Sequence, residues 1–312
     1  MQSRIVSLLP GATEIVAALG LSGSLVARSH ECDYPPDIRR LPACTSREFE
    51  VTESTPGIQL RATAAEYRAL SRFDIDWDLL RGLRPTHILT ETCCESRGVE
   101  KGAVEAILRK ELFETPVLFN HASRSMPGII EEIRAAGCAL GVPARGDALA
   151  ASLAQRIERI GERAKQPGSS APIVACLEWL QPFLLAGSWM PELVRLAGGV
   201  PAVHTGNSVS PWMDWGDLLA IDPDVIVSMP CGWHLPRAVA ETRHAAQRSD
   251  WKHLRAVRQN QVYVVDSSGY FSRPGPRLAE SLEILAEILA PEIFAPRYQG
   301  EGWVRFETGT HH

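Results

Sequence analysis

The sequence lacks a long hydrophobic run, which argues against a helix that crosses a membrane. Although 45% of its 312 residues are hydrophobic, no stretch approaches the roughly 20 apolar residues that such a helix needs. The sequence also lacks an excess of positive charge, because its formal net charge is -5. Nucleic-acid-binding proteins usually present a basic face, so these absences favour a globular protein with another kind of ligand.

A regular cysteine pattern is absent as well. The seven cysteines form no CxxC pair, so we expect neither a disulfide scaffold nor a zinc knuckle. No secretory signal is visible, because the apolar run after residues 1–4 has the features of a first strand and helix. These observations predict a cytoplasmic protein, or a periplasmic one if the chain is exported by another route.

What the sequence does contain is an alternation of short β-branched runs with amphipathic segments, the pattern of a parallel α/β fold. Residues 144–166 form the longest predicted helix, with one apolar stripe made of Leu149, Leu153, Ile157 and Ile160. This helix is either a stiff connector between two lobes or an ordinary surface helix. A weak likeness between residues 84–89 and 222–227 favours the connector. We therefore predict an N-terminal lobe (1–143), a connecting helix (144–167), a C-terminal lobe (168–290) and a tail (291–312).

Aromatic residues make up only 7% of the chain, yet they crowd the ends of strands in its second half. We predict that eight of them lie in loops: Trp179, Phe183, Trp189, Trp212, Trp215, Trp233, Tyr270 and Phe271. Any one of these rings can simply cover the core. Together they indicate a large, flat, mostly apolar ligand. Arg273, in an otherwise neutral loop, is suited to meet an amide or a phosphate on that ligand.

His30 and Cys32 follow the second predicted strand, and both are candidate axial ligands for cobalt or haem iron. The alternative is that His30 bonds to the backbone and that Cys32 is a small buried hydrophobe. Cys93 and Cys231 are weaker candidates for contact with a metal. We expect His30 to be the metal ligand if any of these side chains is one.

Several motifs carry a resemblance to a known family. They are RIVSLLPGATEIVAALGL, HECDYPP, EWLQPFLLAGSWMPELVRLAGG, MPCGWHL and YFSRPGPRL. With these motifs, in this order, the chain from Arg4 to Pro291 resembles the cobalamin-binding branch of the helical-backbone (class III) periplasmic substrate-binding proteins of ABC importers. It is similar, more distantly, to siderophore and haem receptors.

The resemblance implies two Rossmann-like α/β lobes joined by one long helix, with a corrinoid held between the lobes. By motif, it implies ring contacts from Tyr34, Trp212, Tyr270, Phe271 and Arg273, and with less support from Trp179, Trp189 and Trp233. Thr92 and Cys93 stand where the relatives have a tryptophan-bearing loop. Those relatives dock on a permease through one acidic residue per lobe. The nearest matches here are Gly216, beside Asp217, and either Glu100 or Glu105.

Three functions follow as hypotheses. The first is non-catalytic binding of a corrinoid such as cobalamin, either as a cytoplasmic carrier that serves an acceptor protein or as the substrate-binding protein of an ABC permease. The second is binding of haem or of a ferric siderophore. The third is a corrinoid-processing enzyme that uses the adjacent Cys93 and Cys94, since thiolate chemistry needs an accessible cysteine.

Overall fold

The computed structural model describes residues 3–47, 73–91, 110–112, 117–121, 123–165, 170–203 and 210–307. The chain divides into two compact units. The first unit comprises residues 1–123, 127–153 and 274–276, and the second comprises residues 124–126, 154–273 and 277–312. Strands and helices alternate in both units, which confirms the predicted α/β class. No helix in the described ranges has the length and hydrophobicity to cross a membrane.

The first unit is built on a parallel sheet of four strands. In chain order the strands of the whole unit are β1 (Ile5–Ser7), β2 (Leu25–Arg28), β3 (Thr45–Arg47), β4 (Phe73–Ile75), β5 (His87–Glu91) and β6 (Val117–His121). The parallel sheet has the order β2-β1-β5-β6, while β3 and β4 form a separate antiparallel pair. The helices are α1 (Pro10–Ala18), α2 (Trp77–Leu83) and α3 (Met126–Ala139). β1 is buried along its whole length, as expected for an inner strand of a parallel sheet.

Helix α1 begins with a proline, and Thr13 is not its cap. The helix starts at Pro10, with Leu9 as the N-cap residue, because proline suits a first turn whose backbone N–H groups have no partner within the helix. The Thr13 hydroxyl instead donates to the Leu9 carbonyl at 2.8 Å. Gly11 is required in this turn, since a Cβ there would lie 2.4 Å from the carbonyl oxygen of Pro274.

The second unit has a sheet of seven strands. They are β7 (Ile173–Leu180), β8 (Phe183–Leu185), β9 (Val200–Pro201), β10 (Trp212–Met213), β11 (Val225–Ser228), β12 (Val262–Val265) and β13 (Trp303–Arg305). The order is β10-β8-β7-β11-β12-β13, with β9 paired to β7. β7, β11 and β12 are parallel neighbours, so their carboxyl ends lie at the same edge of the sheet.

One long helix, α4 (Pro143–Ala164), has residues in both units. The predicted helix covers residues 144–166. The observed helix begins one residue earlier, at Pro143, and ends two residues earlier, at Ala164. Leu153, Ile157 and Ile160 are buried along the predicted stripe. The remaining helices belong to the second unit: α5 (Met190–Leu196), α6 (Trp215–Ile221), α7 (Leu235–Ala245), α8 (Arg255–Arg258) and α9 (Leu278–Leu289).

Two stretches of the second unit differ from the prediction. The segment with Trp179 and Phe183, which were both predicted to lie in loops, is a hairpin, in which β7 continues to Leu180 and pairs with β8 after a turn at Gln181 and Pro182. Trp179 and Phe183 therefore lie in strands and are buried. Likewise Trp212 lies in β10 and Trp215 in α6. Within the predicted tail, β13 pairs with β12, because Trp303 and Phe306 bury apolar side chains there.

Candidate functional site

The carboxyl ends of β7, β11 and β12 carry six of the thirteen predicted ligand residues, and α/β folds place ligands at such edges. Trp179 of β7 and Trp233, which follows β11, lie with ring centroids 5.4 Å apart. Both rings are buried, and the Arg237 guanidinium lies 5.0 Å from the Trp233 ring centroid. The structure thus brings two predicted ligand residues together as one buried pair of packed rings.

A group of small polar side chains lies beside this pair. The Ser272 hydroxyl contacts the half-buried Cys231 thiol at 3.5 Å. It also lies 2.7 Å from the Ser267 hydroxyl and accepts the Gly232 N–H at 3.4 Å. Cys231 is therefore held within a hydrogen-bonded loop after β11, at the same edge of the sheet.

Tyr270 and Phe271 close a turn of π-helix, Ser267–Phe271, which directly follows β12. Tyr270 is flanked by the Arg277 guanidinium, 5.3 Å from its ring centroid, and by the Tyr298 ring at 5.9 Å. Partial burial raises the pKa of Tyr270, so its hydroxyl keeps its proton at neutral pH. Phe271 and Arg273 are buried, and the Arg273 Nη2 lies 3.5 Å from the Ser268 hydroxyl.

A histidine–aspartate pair completes this edge, and sequence reasoning did not find it. His234 Nδ1 lies 3.0 Å from Asp266 Oδ2. The imidazole is 55% exposed, whereas the aspartate side chain is 13% exposed. His234 ends the loop after β11 and Asp266 follows β12 directly. Their positions after parallel strands were the available signal, and only the pairing of the strands brings the two residues together.

Trp189 and Trp212 lie on other elements of the second unit. Trp189 is the N-cap residue of α5, and its Nε1 is buried with no hydrogen bond to any described residue. Trp212, in the short strand β10, is 45% exposed. Of these two predicted ligand residues, Trp212 has the larger accessible ring.

In the first unit, His30, Cys32 and Tyr34 follow β2. His30 Nδ1 lies 2.8 Å from the Thr45 hydroxyl, and its side chain is 19% exposed. Cys32 is fully buried and its sulfur lies 3.0 Å from the Thr13 hydroxyl, in agreement with the alternative of a small buried residue. Tyr34 is 44% exposed, so its ring is accessible to a ligand.

The remaining candidates divide into two groups. Thr92, Cys93, Cys94, Glu100 and Glu105 lie outside the described residues. Gly216 and Asp217 lie in the exposed first turn of α6, where the Asp217 carboxylate accepts the Asp214 N–H at 3.0 Å as half of a capping box. That carboxylate therefore already has a role in starting the helix.

Two other thiols are poor candidates for chemistry. Burial raises the pKa of Cys176 to about 12 and is the main reason that the pKa of Cys44 is also about 12. Thiols with such pKa values are almost wholly protonated at neutral pH and react slowly. The described residues also include no cluster of three or more His, Cys, Asp or Glu side chains that could hold a metal ion.

A comparison with known sequences agrees with this architecture, since the profile of one family, described as periplasmic binding protein, matches residues 5–268. The chain belongs to the periplasmic binding protein family. Family members are substrate-binding proteins and not enzymes. YvrC of Bacillus subtilis (strain 168), named an uncharacterized ABC transporter substrate-binding lipoprotein, is 22% identical over 301 residues, which are 93% of this chain and 81% of YvrC.

Solved structures of two ligand classes share the fold. The periplasmic vitamin B12 binding protein BtuF of Vibrio cholerae has a TM-score of 0.65 and 22% identity, covering 92% of this chain and 96% of BtuF. The periplasmic heme-binding protein RhuT from Roseiflexus sp. RS-1 has a TM-score of 0.69 and 20% identity, covering 93% of this chain and 99% of RhuT. These likenesses confirm the predicted two-lobed fold of class III periplasmic binding proteins.

Proposed function

We propose that this protein is the substrate-binding protein of an ABC importer and that its ligand is a metal tetrapyrrole, either a corrinoid such as cobalamin or haem. The observation that supports this most strongly is the set of aromatic rings at one edge of the second sheet. Trp179 packs against Trp233, and Tyr270 lies in the turn that follows β12. Broad, flat ligands gain most of their binding energy from contact with such rings.

The corrinoid is favoured by the motifs that carry the family resemblance, HECDYPP and YFSRPGPRL among them. Haem is favoured by a different observation, the exposed imidazole of His234 with its carboxylate partner, because imidazole is a common axial ligand of haem iron. A ferric siderophore with fewer than six donor atoms would leave a coordination position open to this imidazole, so it stays the alternative ligand.

The proposal is tested by titrating the purified protein with hydroxocobalamin and, separately, with hemin, followed by visible absorption and by thermal unfolding. A ligand present at 100 times its Kd should stabilise the folded protein by about 2.7 kcal/mol. Tyr34→Ala and Trp212→Ala should weaken binding with little loss of stability, because both rings are already largely exposed.

Ile293→Ala is the matched control, since Ile293 is also an exposed large hydrophobic residue but lies after α9, away from the strand ends. His30→Ala in the same titrations tests the predicted metal ligand of the first unit. If neither compound binds or raises the unfolding temperature, the tetrapyrrole proposal is wrong and only membership of the family stands.

The proposed partner is an ABC permease, supported by the transporter name of the relative YvrC. Loaded protein should raise the ATPase rate of its permease in proteoliposomes, and an absence of any effect would argue for a carrier that serves another acceptor. The cytoplasmic location stays a prediction, and cell fractionation with antibodies against this chain tests it.

A further inference from the structure

We propose that Tyr298, held by Glu283 and Arg156, positions the Tyr270 ring for contact with the bound ligand. The inference rests on the proposed function and adds to it a set of residues that support a ligand contact from behind. Glu283 and Tyr298 follow residue 268, where the match to the family ends. The support that they give to Tyr270 is therefore not part of that match.

The half-buried ring of Tyr270 has two neighbours that determine its orientation. The Tyr298 ring meets it edge to face, with centroids 5.9 Å apart and an angle of 75° between the ring planes. The Arg277 guanidinium lies 5.3 Å from its centroid, and the Tyr270 carbonyl accepts the Ser281 hydroxyl at 3.1 Å. Edge-to-face pairs at this separation attract each other beyond the area that they bury. The orientation of the Tyr270 ring therefore depends on where Tyr298 lies.

Helix α9 holds Tyr298 by both its side chain and its backbone. The Tyr298 hydroxyl donates to Glu283 Oε2 at 2.7 Å, and its N–H donates to Glu287 Oε2 at 3.1 Å. Residues four positions apart lie on the same face of a helix, so the two carboxylates hold one residue together. Burial, and after it the hydrogen bond to Glu283, raises the pKa of Tyr298. The hydroxyl therefore stays a donor throughout the neutral range.

The Glu283 carboxylate is itself fixed by Arg156 of α4. Arg156 Nη2 donates to Glu283 Oε2 at 2.7 Å, and Nε donates to Oε1 at 3.1 Å. The remaining Nη1 donates to Glu280 at 3.0 Å. Bidentate, charge-assisted hydrogen bonds of this kind fix geometry as well as adding energy. The contacts thus run from α4 through Glu283 and Tyr298 to Tyr270, and all of these residues belong to the second unit.

A ring that is already held in place is a better contact for a flat ligand. Immobilising a mobile side chain on binding weakens affinity by about 2- to 10-fold. Without the Tyr298 hydroxyl, the bound ligand would have to order the Tyr298 and Tyr270 rings itself. We therefore expect its loss to weaken the binding of hemin or hydroxocobalamin by about 2- to 10-fold.

The experiment uses the full-length protein, and Tyr298→Phe is the main variant because it keeps the ring and removes only the hydroxyl. Labelling with meta-fluorotyrosine gives one fluorine NMR signal for each of the five tyrosines, and single Tyr→Phe variants assign them. We expect the Tyr270 signal to shift or broaden in Tyr298→Phe without any ligand. Titrations of unlabelled protein, followed by visible absorption, measure the affinities for hemin and for hydroxocobalamin.

Tyr263→Phe is the matched control. The Tyr263 hydroxyl also donates to a side chain at 2.7 Å, that of Gln261, and its ring also meets an aromatic ring, Trp303, edge to face at 5.7 Å. This variant should leave the Tyr270 signal and both affinities unchanged. Glu283→Gln should move the Tyr270 signal in the same direction as Tyr298→Phe, because a neutral amide oxygen is a weaker acceptor than a carboxylate.

A double-mutant cycle tests whether Tyr298 acts through Tyr270. In a Tyr270→Ala background, Tyr298→Phe should have no further effect on affinity, since the ring that it positions is gone. An equal loss of affinity in both backgrounds would show that Tyr298 acts by another route and would overturn the inference.

The outcomes separate this inference from the proposed function. If the Tyr270 signal is the same in Tyr298→Phe as in the wild-type protein, the positioning role is wrong whatever the protein binds. If the signal moves but the variant binds its ligand as tightly as the wild type, the inference is wrong and the proposed function stands. If the wild-type protein binds neither hemin nor hydroxocobalamin, both proposals are wrong.

Discussion

Removing the Glu287 carboxylate is expected to cost the second unit several hydrogen bonds at once. Glu287 lies in α9 and is 5% exposed. One oxygen accepts the Trp303 Nε1–H at 2.7 Å, and the other accepts the Arg297 N–H at 2.9 Å. The Tyr298 N–H lies 3.1 Å from the first of these oxygens. The carboxylate therefore fastens the C-terminal segment, residues 290–306, to α9.

The magnitude follows from the burial of each donor. The bond to Trp303 is buried, and a buried donor left without a partner costs about 1–3 kcal/mol. The two backbone donors are only partly buried, so water can replace their partner and each contributes about 0.5–1.5 kcal/mol. We expect Glu287→Ala to lower the free energy of unfolding by about 2–6 kcal/mol.

The assay is urea unfolding at pH 7, followed by tryptophan fluorescence and far-ultraviolet circular dichroism. Glu287→Gln should lose roughly half as much as the alanine variant, because one amide oxygen can still accept the Trp303 N–H. Glu292→Gln removes an exposed carboxylate nearby and should change stability by less than about 0.5 kcal/mol. If Glu287→Ala is as stable as Glu292→Gln, the reasoning is refuted.

The same change should also weaken ligand binding. The Gly302 carbonyl of this segment accepts the Asp266 N–H at 2.8 Å, and Tyr298 lies against Tyr270 at 5.9 Å between ring centroids. Loosening the segment therefore removes support from two residues of the proposed site. A variant that is less stable but binds with unchanged affinity would show that the segment supports the fold alone.

Three further predictions concern other parts of the chain. Asp224→Asn should cost about 1–2 kcal/mol at pH 7. The Ile173 N–H, 2.8 Å from the carboxylate, is the main cause of the lowered pKa of Asp224. A lowered pKa stabilises the fold above the unfolded-state value and loses that effect as pH falls through the folded-state value, so urea unfolding near pH 2 should show no difference. Gly11→Ala should cost about 1–3 kcal/mol, because its Cβ would lie 2.4 Å from the Pro274 carbonyl oxygen. Cys176, with a pKa of about 12 caused by burial, should react with iodoacetamide at pH 8 far more slowly than the exposed Cys138, as measured by peptide mass spectrometry.

Each of these predictions has a control. Asp37→Asn changes an exposed carboxylate and should have no comparable effect at either pH. A Cβ at Gly23 would meet no atom within 4 Å, so Gly23→Ala should be nearly neutral. Unfolding in urea should make the two thiols equally reactive. A Gly11→Ala variant as stable as Gly23→Ala, or rapid labelling of Cys176 in the folded protein, would contradict the packing described above.

The elements that the sequence predicts best are those whose local pattern is sufficient. The buried run Val262–Val265 is a strand, as its β-branched and aromatic residues predict. The helix Pro143–Ala164 differs by one or two residues at each end, because its apolar stripe has the helical period. The hairpin after β7 was missed because EWLQPFLL lacks the glycine and asparagine signals of a tight turn.

The contacts of the site could not be predicted in the same way. His234 and Asp266 meet because β11 and β12 are parallel neighbours. The local sequence around each strand does not determine the order of strands in the sheet. The contacts of Arg156 could not be predicted for the same reason. This residue donates to Glu280 at 3.0 Å and to Glu283 at 2.7 Å, and both carboxylates lie more than a hundred positions away in the chain. The sequence predicts which strand ends form the site, whereas the pairing of residues from different strands follows only from the fold.

The choice between corrinoid and haem also depends on the charges in the loops of the candidate site. Cobalamin carries neutral amides and one phosphate around its ring, whereas haem carries two carboxylates. The second unit places three arginines in or beside the site loops: Arg237 over Trp233, Arg277 over Tyr270 and the buried Arg273. Guanidinium groups bind carboxylates in a bidentate manner, but Arg237 already pairs with Glu241 at 2.8 Å, so a haem carboxylate would have to compete with Glu241 for this guanidinium. The titrations with hydroxocobalamin and hemin therefore compare two independent expectations. The sequence motifs favour the corrinoid, whereas the arginines and the His234 imidazole favour haem.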